Sequence, residues 1–399
     1  MFLKSKYTLY FYILLFFIVC LLLIQTQFYL SISYKEALNL YENNSILSII
    51  TKASIYFFGQ SDLALRLPFI SMYILSVLLM YKITENYFKY ESDRFISICI
   101  FMLLPGVLSA SLLVNTAIIC TFLTLLYIYY YKKHNKHLYY LLPFVLFVDN
   151  SFAIFFLALF FFSFKTKDRK LLYISSILFI LSLYIYGVST DGKPRGFLID
   201  TFGMYAAILS PVLFIYFLYS LYRVLLKKDM DLSWYIASTA LVLSILASFR
   251  QRIYIEDFAP YVVVVIPSLI KIFLHSYRVR LKEFRKVYSF IAISTILLLF
   301  INVLFTFVNK PIYLLLPKPE RHFVYQYHFI KEISQELKKH GIYGVLCDDK
   351  NLAIRLKFYE ILESDNYFLS TKEFYNYDEK ISIDYYGIEL FSVYIKKLI

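Results

Sequence analysis

The stretch SYKEALNLYENN, residues 33–44, places two carboxylates, Glu36 and Glu42, and a lysine, Lys35, directly after an apolar run long enough to cross a membrane. A carboxylate fixed beside a reacting hydroxyl is a general base, worth roughly 10²- to 10⁴-fold in rate. Its natural complement is positive charge aimed at a leaving anion. Under the topology derived below, Lys35, Lys52, Arg66, Lys193, Arg195, Arg250 and Arg252 share the side of the two acids. FRQRIY, residues 249–254, puts two arginines one residue apart at the end of a span, a spacing suited to clamping a phosphate. Plainer roles compete with each of these. Arg66 follows Asp62 by four residues, a helical ion-pair spacing. Arg250 and Arg252 have Glu256 and Asp257 within reach. Lys193 and Arg195, in TDGKPRG, read equally as loop polar residues, and Asp149 in FVDNSF as a turn or helix cap. A lone exposed glutamate is commonly solvated and nothing more. The histidines are scattered through connectors and tail, and no HExxH, glycine-rich phosphate loop or GxSxG elbow occurs, so neither a metal nor a cofactor is expected.

The elements that must position these residues are membrane spans. The 399 residues are 60% hydrophobic and 20% aromatic with only 9 glycines, a composition no ordinary soluble domain shares. Apolar runs predict about eleven transmembrane helices, near 7–30, 66–83, 95–108, 116–131, 138–148, 151–164, 171–187, 202–226, 232–249, 258–274 and 287–308. The first lacks a small-residue cleavage site and reads as an uncleaved anchor. The net charge of +13 lies wholly before residue 309, because residues 309–399 carry 13 Lys+Arg against 13 Asp+Glu. With the N-terminus inside, inner loops and helix ends hold 21 basic against 7 acidic residues and outer loops 7 against 8, the positive-inside pattern. The basic runs KKHNKH, KTKDRK and RVRLKEFRK are short connectors that orient the chain and touch anionic lipid, which excludes nucleic acid as a partner. Of four cysteines, Cys20, Cys99 and Cys120 fall in spans and Cys347 stands alone in the tail, so no disulfide framework or CxxC pair exists.

This topology puts the first loop, residues 31–65, on the outer face. Within it, residues 45–58 are apolar with only Lys52 charged, and predict an amphipathic helix lying along the interface. The division expected is a transmembrane domain, 1–308, and a small outer α/β domain, 309–399, entered through the proline-marked KPIYLLLPKPE. Its elements read as a helix over 323–340 stopped at Gly341, a strand over 343–347, a helix over 351–363 capped by Asp349, a strand at 367–369 and the pair ISIDYYG and IELFSVYIK. The tail is expected to cover the outer cavity and shape the entrance for an acceptor.

FFGQSDLALRLPF, residues 57–69, resembles the FG-x-S-x-x-A-x-R-L-P signature of the family 39 polyprenyl-phosphate-sugar glycosyltransferases, which include protein O-mannosyltransferases and lipid A aminoarabinose transferases. The likeness extends over residues 7–275, through Arg66-Leu67-Pro68 opening the second span, Pro105 near the outer end of the third, and Tyr261 and Pro267 in a late span. It implies a GT-C-like fold and an inverting transfer, without nucleotide sugar, from a polyprenyl-phosphate-linked donor. The acceptor would be lipid A, another envelope glycan or a protein, at the outer face of the bacterial inner membrane. Counting back from Gly59, Glu42 stands at the family's second acid, followed by Asn43 where relatives often carry Lys or His. Glu36 follows Lys35, which replaces the family's leading aspartate, its catalytic base, and Asn115 replaces a second outer aspartate. Glu256 and Asp257 occupy the place where relatives have a basic residue before the late tyrosine. The resemblance thus makes Glu42 and Glu36 base and orienting acid, with Lys35, Lys52, Arg66, Arg250, Arg252 and Tyr261 at the donor phosphate. Two rivals remain open: a non-catalytic relative that binds a polyprenyl lipid or a partner, motivated by Lys35, and a transporter or flippase of a lipid-linked sugar.

Overall fold

The computed structural model describes residues 6–187 and 196–398. Lys193 and Arg195 lie outside the described residues. The chain forms two compact units, Met1–Val19 with Phe69–Thr306, and Cys20–Pro68 with Phe307–Ile399. The first loop, expected to belong with residues 1–308, therefore clusters with the C-terminal segment.

Among the described residues five helical stretches are long and apolar enough to cross a membrane: Lys6–Tyr29, Asp62–Ile83, Arg169–Tyr186, Ile255–Val279 and Lys282–Phe307. Two bent pairs bring the number to seven if each counts as one span. Glu91–Leu103 gives way to Pro105–Leu112 at 49°, because Leu104 takes the extended conformation (ψ 125°) that a following proline imposes. Leu198–Leu209 and Pro211–Lys227 meet at 104° across Ser210, whose φ is +75°. Of the eleven spans expected, 138–148 holds only the six-residue helix Leu141–Leu146, about 9 Å long at 1.5 Å per residue. Phe152–Thr166 and Leu232–Ser248, at 15 and 17 residues, fall short of the about 20 a span needs. The window that qualifies Lys282–Phe307 is only 11% buried. A helix apolar all round and left bare by its own chain is covered by lipid, and this is a membrane protein.

In the second unit, Ser33 caps the helix Tyr34–Tyr41 by a capping box with Glu36, so the acidic stretch is helical rather than a loop. Ser45 caps the next helix, Ile46–Phe58, within one residue of the interfacial helix expected at 45–58. That helix is inverted relative to a soluble one. Its buried residues are Ser48, Thr51 and Ser54, three apart on one face, whereas Ile49, Tyr56, Phe57 and Phe58 are exposed. Asp62–Ile83 follows after Gly59, whose φ is +81°.

The tail folds as a four-stranded sheet with two helices. Strands β1 (Leu346–Cys347), β2 (Tyr367–Ser370), β3 (Glu379–Tyr385) and β4 (Ile388–Lys397) lie in the order β1-β2-β4-β3. β1 runs parallel to β2, and β4 is antiparallel to both β2 and β3. Tyr386 and Gly387, both at positive φ, form the two-residue turn that matches the twist of the β3–β4 hairpin. The helix Ile330–Lys339 buries Ile330, Ile333, Ser334 and Leu337 in a core with Leu352, Leu356, Leu369 and Val393. It ends before Gly341, at φ +74°, as expected. It starts later than residue 323, because Phe329 has φ +74°, which no right-handed helix accommodates. Phe329 is held there by its stack on Phe391, ring centroids 5.7 Å apart and 3° from parallel. The second tail helix, Lys350–Phe358, takes its cap from Asp349 but stops short of residue 363.

Candidate functional site

The residues singled out for chemistry in the first loop meet in the second unit, around Arg66. This side chain sits one turn into the helix Asp62–Ile83 and is fully buried. Its Nη2 donates to Glu36 Oε2 at 2.8 Å and to the Ser31 carbonyl at 2.9 Å. The i, i+4 partner Asp62 lies farther away, 3.7 Å from Nη1. The same Glu36 oxygen accepts the Ser33 N–H at 2.9 Å, closing the capping box. Glu36 therefore joins helix Tyr34–Tyr41 to Arg66 and is itself 2% exposed.

The C-terminal residues complete the cluster. Asp62, buried, pairs through Oδ2 with Lys331 Nζ at 3.0 Å and accepts the Tyr359 hydroxyl on Oδ1 at 2.8 Å. Burial, reinforced by Asp62, raises the Tyr359 phenol well above its ordinary value, so the proton stays on and is donated. The same hydroxyl accepts the Ile32 N–H at 3.1 Å. Arg355 donates from Nε to the Ile32 carbonyl at 2.9 Å and from Nη2 to the Gln326 carbonyl at 2.7 Å. Burial pushes the Arg355 guanidinium down to about 10, which leaves it charged at neutral pH. In the ion pairs Arg66 and Lys331 balance Glu36 and Asp62, the condition under which buried pairs are tolerated, while Arg355 adds a third cation met by the backbone carbonyls of Ile32 and Gln326. A balanced network of this kind orients groups; a proton acceptor needs a carboxylate open to its substrate.

Glu42, the C-cap of the same helix Tyr34–Tyr41, is such a carboxylate, being exposed. Lys35 and Lys52 are exposed, and among the described residues neither makes an ion pair. Lys35 lines a cavity of about 860 Å³ within the second unit.

The remaining candidates belong to the first unit. Arg250 and Arg252 are exposed, and among the described residues neither pairs with Glu256 or Asp257. Tyr261 is fully buried, its hydroxyl 3.1 Å from Ser151 Oγ and its ring against Phe152 and Phe155. Asn115 accepts the Ala117 N–H at 3.0 Å at the start of helix Ala117–His134, and Asp149 accepts that of Ser151 at 2.9 Å. Both close local turns by accepting from the N–H two residues on. Among the described residues no group of three or more His, Cys, Asp or Glu could hold a metal.

Sequence reasoning named Glu36 and Arg66 without joining them. The Ser33-x-x-Glu36 spacing was the signal for half of that link. Lys331, Arg355 and Tyr359 had no local signal, since they meet the first loop across about 300 residues of chain. No protein-family model and no curated protein sequence matches this chain.

Proposed function

We propose that the chain is an integral membrane glycosyltransferase that moves a sugar from a polyprenyl-phosphate-linked donor to a hydroxyl of a cell-envelope acceptor, a glycan, lipid A or a protein. One observation carries the reading: Glu36, from the acidic start of the first loop, and Arg66, from the Arg-Leu-Pro segment, meet in a buried 2.8 Å ion pair. Both residues fall within the span 7–275 over which the chain resembles the family 39 enzymes, Arg66 in the Arg-Leu-Pro segment and Glu36 beside the position of the family's leading aspartate. In this reading Glu36 is the orienting acid and Glu42 the base. The acceptor hydroxyl gives its proton to Glu42 as its oxygen bonds the anomeric carbon. The bond from that carbon to the phosphate oxygen breaks, and the phosphate leaves with the electron pair. Lys35 and Lys52, exposed and without an ion pair among the described residues, supply charge for that phosphate. The reading also takes a GT-C-like arrangement of about eleven spans in a bacterial inner membrane, with the N-terminus cytoplasmic and the tail outside.

The test is mass spectrometry of envelope glycans, lipid A included, from a deletion strain carrying wild type or Glu42→Gln. Loss of one sugar mass, restored by wild type alone, is the expected result. An unchanged glycan profile in the deletion removes the enzyme reading, and full rescue by Glu42→Gln removes Glu42 as base.

A second reading has its own observation. Lys35 stands where the family has its aspartate base, and Glu36 beside it is engaged in the buried network. A chain so arranged fits a non-catalytic relative that binds a polyprenyl lipid. In that case Glu42→Gln leaves every cellular phenotype of the wild type in place.

A further inference from the structure

The cavity of about 860 Å³ in the second unit meets the network around Arg66 through Arg355 and Gln326 on its wall. Its size falls in the range of small-molecule sites, about 300–1,000 Å³. Two of the residues lining it hold buried polar atoms with no partner among the described residues, His328 Nε2 and Asn351 Oδ1. His328 is 2% exposed, and its other nitrogen lies 2.9 Å from the Tyr313 hydroxyl. Burial, with His322 and Lys310 nearby, lowers its pKa to about 3, so the ring is neutral and Nε2 is a donor or an acceptor according to tautomer. The amide oxygen of Asn351 only accepts. Buried atoms of this kind are seldom left unmet, so a ligand able to donate and accept at once is called for.

The charge on the walls narrows the class. Glu389 is paired with Lys380 at 2.7 Å. The other charged residues at the cavity, Lys35 and Arg355 against Glu320 and Asp349, cancel, so a strongly charged ligand gains nothing. Aromatic surface completes the lining. Phe323, 65% exposed, stacks on His322 with centroids 4.9 Å apart, and Phe329 holds the positive φ noted above, a strained conformation of the kind concentrated at ligand sites.

We propose that this cavity binds a neutral saccharide, with aromatic rings covering the apolar faces of the sugar and Asn351 and His328 meeting its hydroxyls. A hydroxyl donates and accepts together, which answers both orphaned atoms whichever tautomer His328 adopts. The choice of a saccharide over other uncharged polar ligands rests on the transferase reading, in which this is where an acceptor glycan is held.

The test uses the full chain in lipid nanodiscs against an array of neutral oligosaccharides released from bacterial envelopes, with sialyllactose as an anionic control. Hits are confirmed by saturation-transfer NMR. Neutral glycans are expected to bind, and Asn351→Ala and Phe323→Ala, both at positions that are not fully buried, are each expected to weaken binding about fivefold, the scale of one lost contact. Absence of neutral hits, binding of sialyllactose alone, or affinities unchanged in both variants overturns the proposal. The two readings separate cleanly: binding with an unchanged envelope glycan profile overturns the transferase and keeps the cavity, whereas a lost sugar mass without binding overturns the cavity alone.

Discussion

At the scale of the residue, Glu36 and Arg66 work as one unit, and their substitution separates structure from chemistry. Removing the guanidinium strands two buried carboxylates, Glu36 and Asp62, with only Lys331 in compensation. Arg66→Ala is therefore expected to cost about 3–5 kcal/mol, read as a large fall in thermal midpoint of the detergent-solubilised chain. Glu42→Gln, at an exposed position, is expected to leave that midpoint within a degree or two; a large drop there would return Glu42 to a structural role. The two acids looked alike in the sequence, and only burial distinguishes them. The i, i+4 pair of Asp62 with Arg66 was readable from spacing, yet at 3.7 Å it ranks behind the 2.8 Å contact that a capping box delivers from another helix. His328 gives a second test. Its folded pKa of about 3 lies below the ordinary 6.5, so between these values the unfolded chain binds the extra proton. Stability contributed by the neutral ring is complete above about 6.5 and lost as pH falls toward 3. Between pH 7.5 and 5.5 the loss is about 1.4 kcal/mol. His328→Gln should flatten that part of the stability profile, and an unchanged slope would show that the ring titrates freely.

The elements follow different rules in and out of lipid. In the tail, periodicity of apolar residues and turn chemistry were enough: Ile330, Ile333 and Leu337 mark one helix face, and Tyr386-Gly387 the hairpin. The exception is 323–329, where helical propensity yields to the stacking of Phe329 on Phe391, a contact 62 positions away that no local window contains. The helix Ile46–Phe58 shows the opposite arrangement. Its serines and threonine turn inward, where Thr51 donates to the Leu47 carbonyl and Ser54 to that of Ala64, and its aromatic rings turn outward. An exposed Tyr56-Phe57-Phe58 edge costs little only when it faces the acyl boundary. A tryptophan placed at Phe57 in a Trp234→Phe background should accordingly be quenched by brominated lipid, and one placed at Gln60 much less. Equal quenching at both sites, or none at Phe57, would remove the interfacial assignment.

For the whole molecule, the segment order along the chain conceals how it is built. Composition changes at residue 309 and suggests a boundary there, but the compact unit that contains the tail also takes Cys20–Pro68. Charge and hydropathy report on solvent and lipid, and carry no information on which distant segments pair; nor does hydropathy fix helix length, since the apolar run 138–148 holds only the six-residue helix Leu141–Leu146. The ties within the second unit are specific: Tyr359 and Lys331 on Asp62, Arg355 and Tyr359 on Ile32, and the Ser31 N–H on the Tyr327 carbonyl at 2.8 Å. A chain ending at Val308 loses all of them while keeping every stretch long and apolar enough to span. Asp62 would then have only Arg66, and the Ser31 N–H and the Ile32 N–H and carbonyl would lose their partners, each unmet buried group costing about 1–3 kcal/mol. Such a truncation should still insert in the membrane but expose residues 31–45 to protease, with cleavage there fast relative to the full chain. Supplying residues 309–399 as a separate polypeptide should restore protection if the unit assembles from its two segments by these contacts alone. Resistance of the truncated chain equal to that of the full one would mean that the first loop holds its fold without the tail, and the network around Asp62 would be incidental to it.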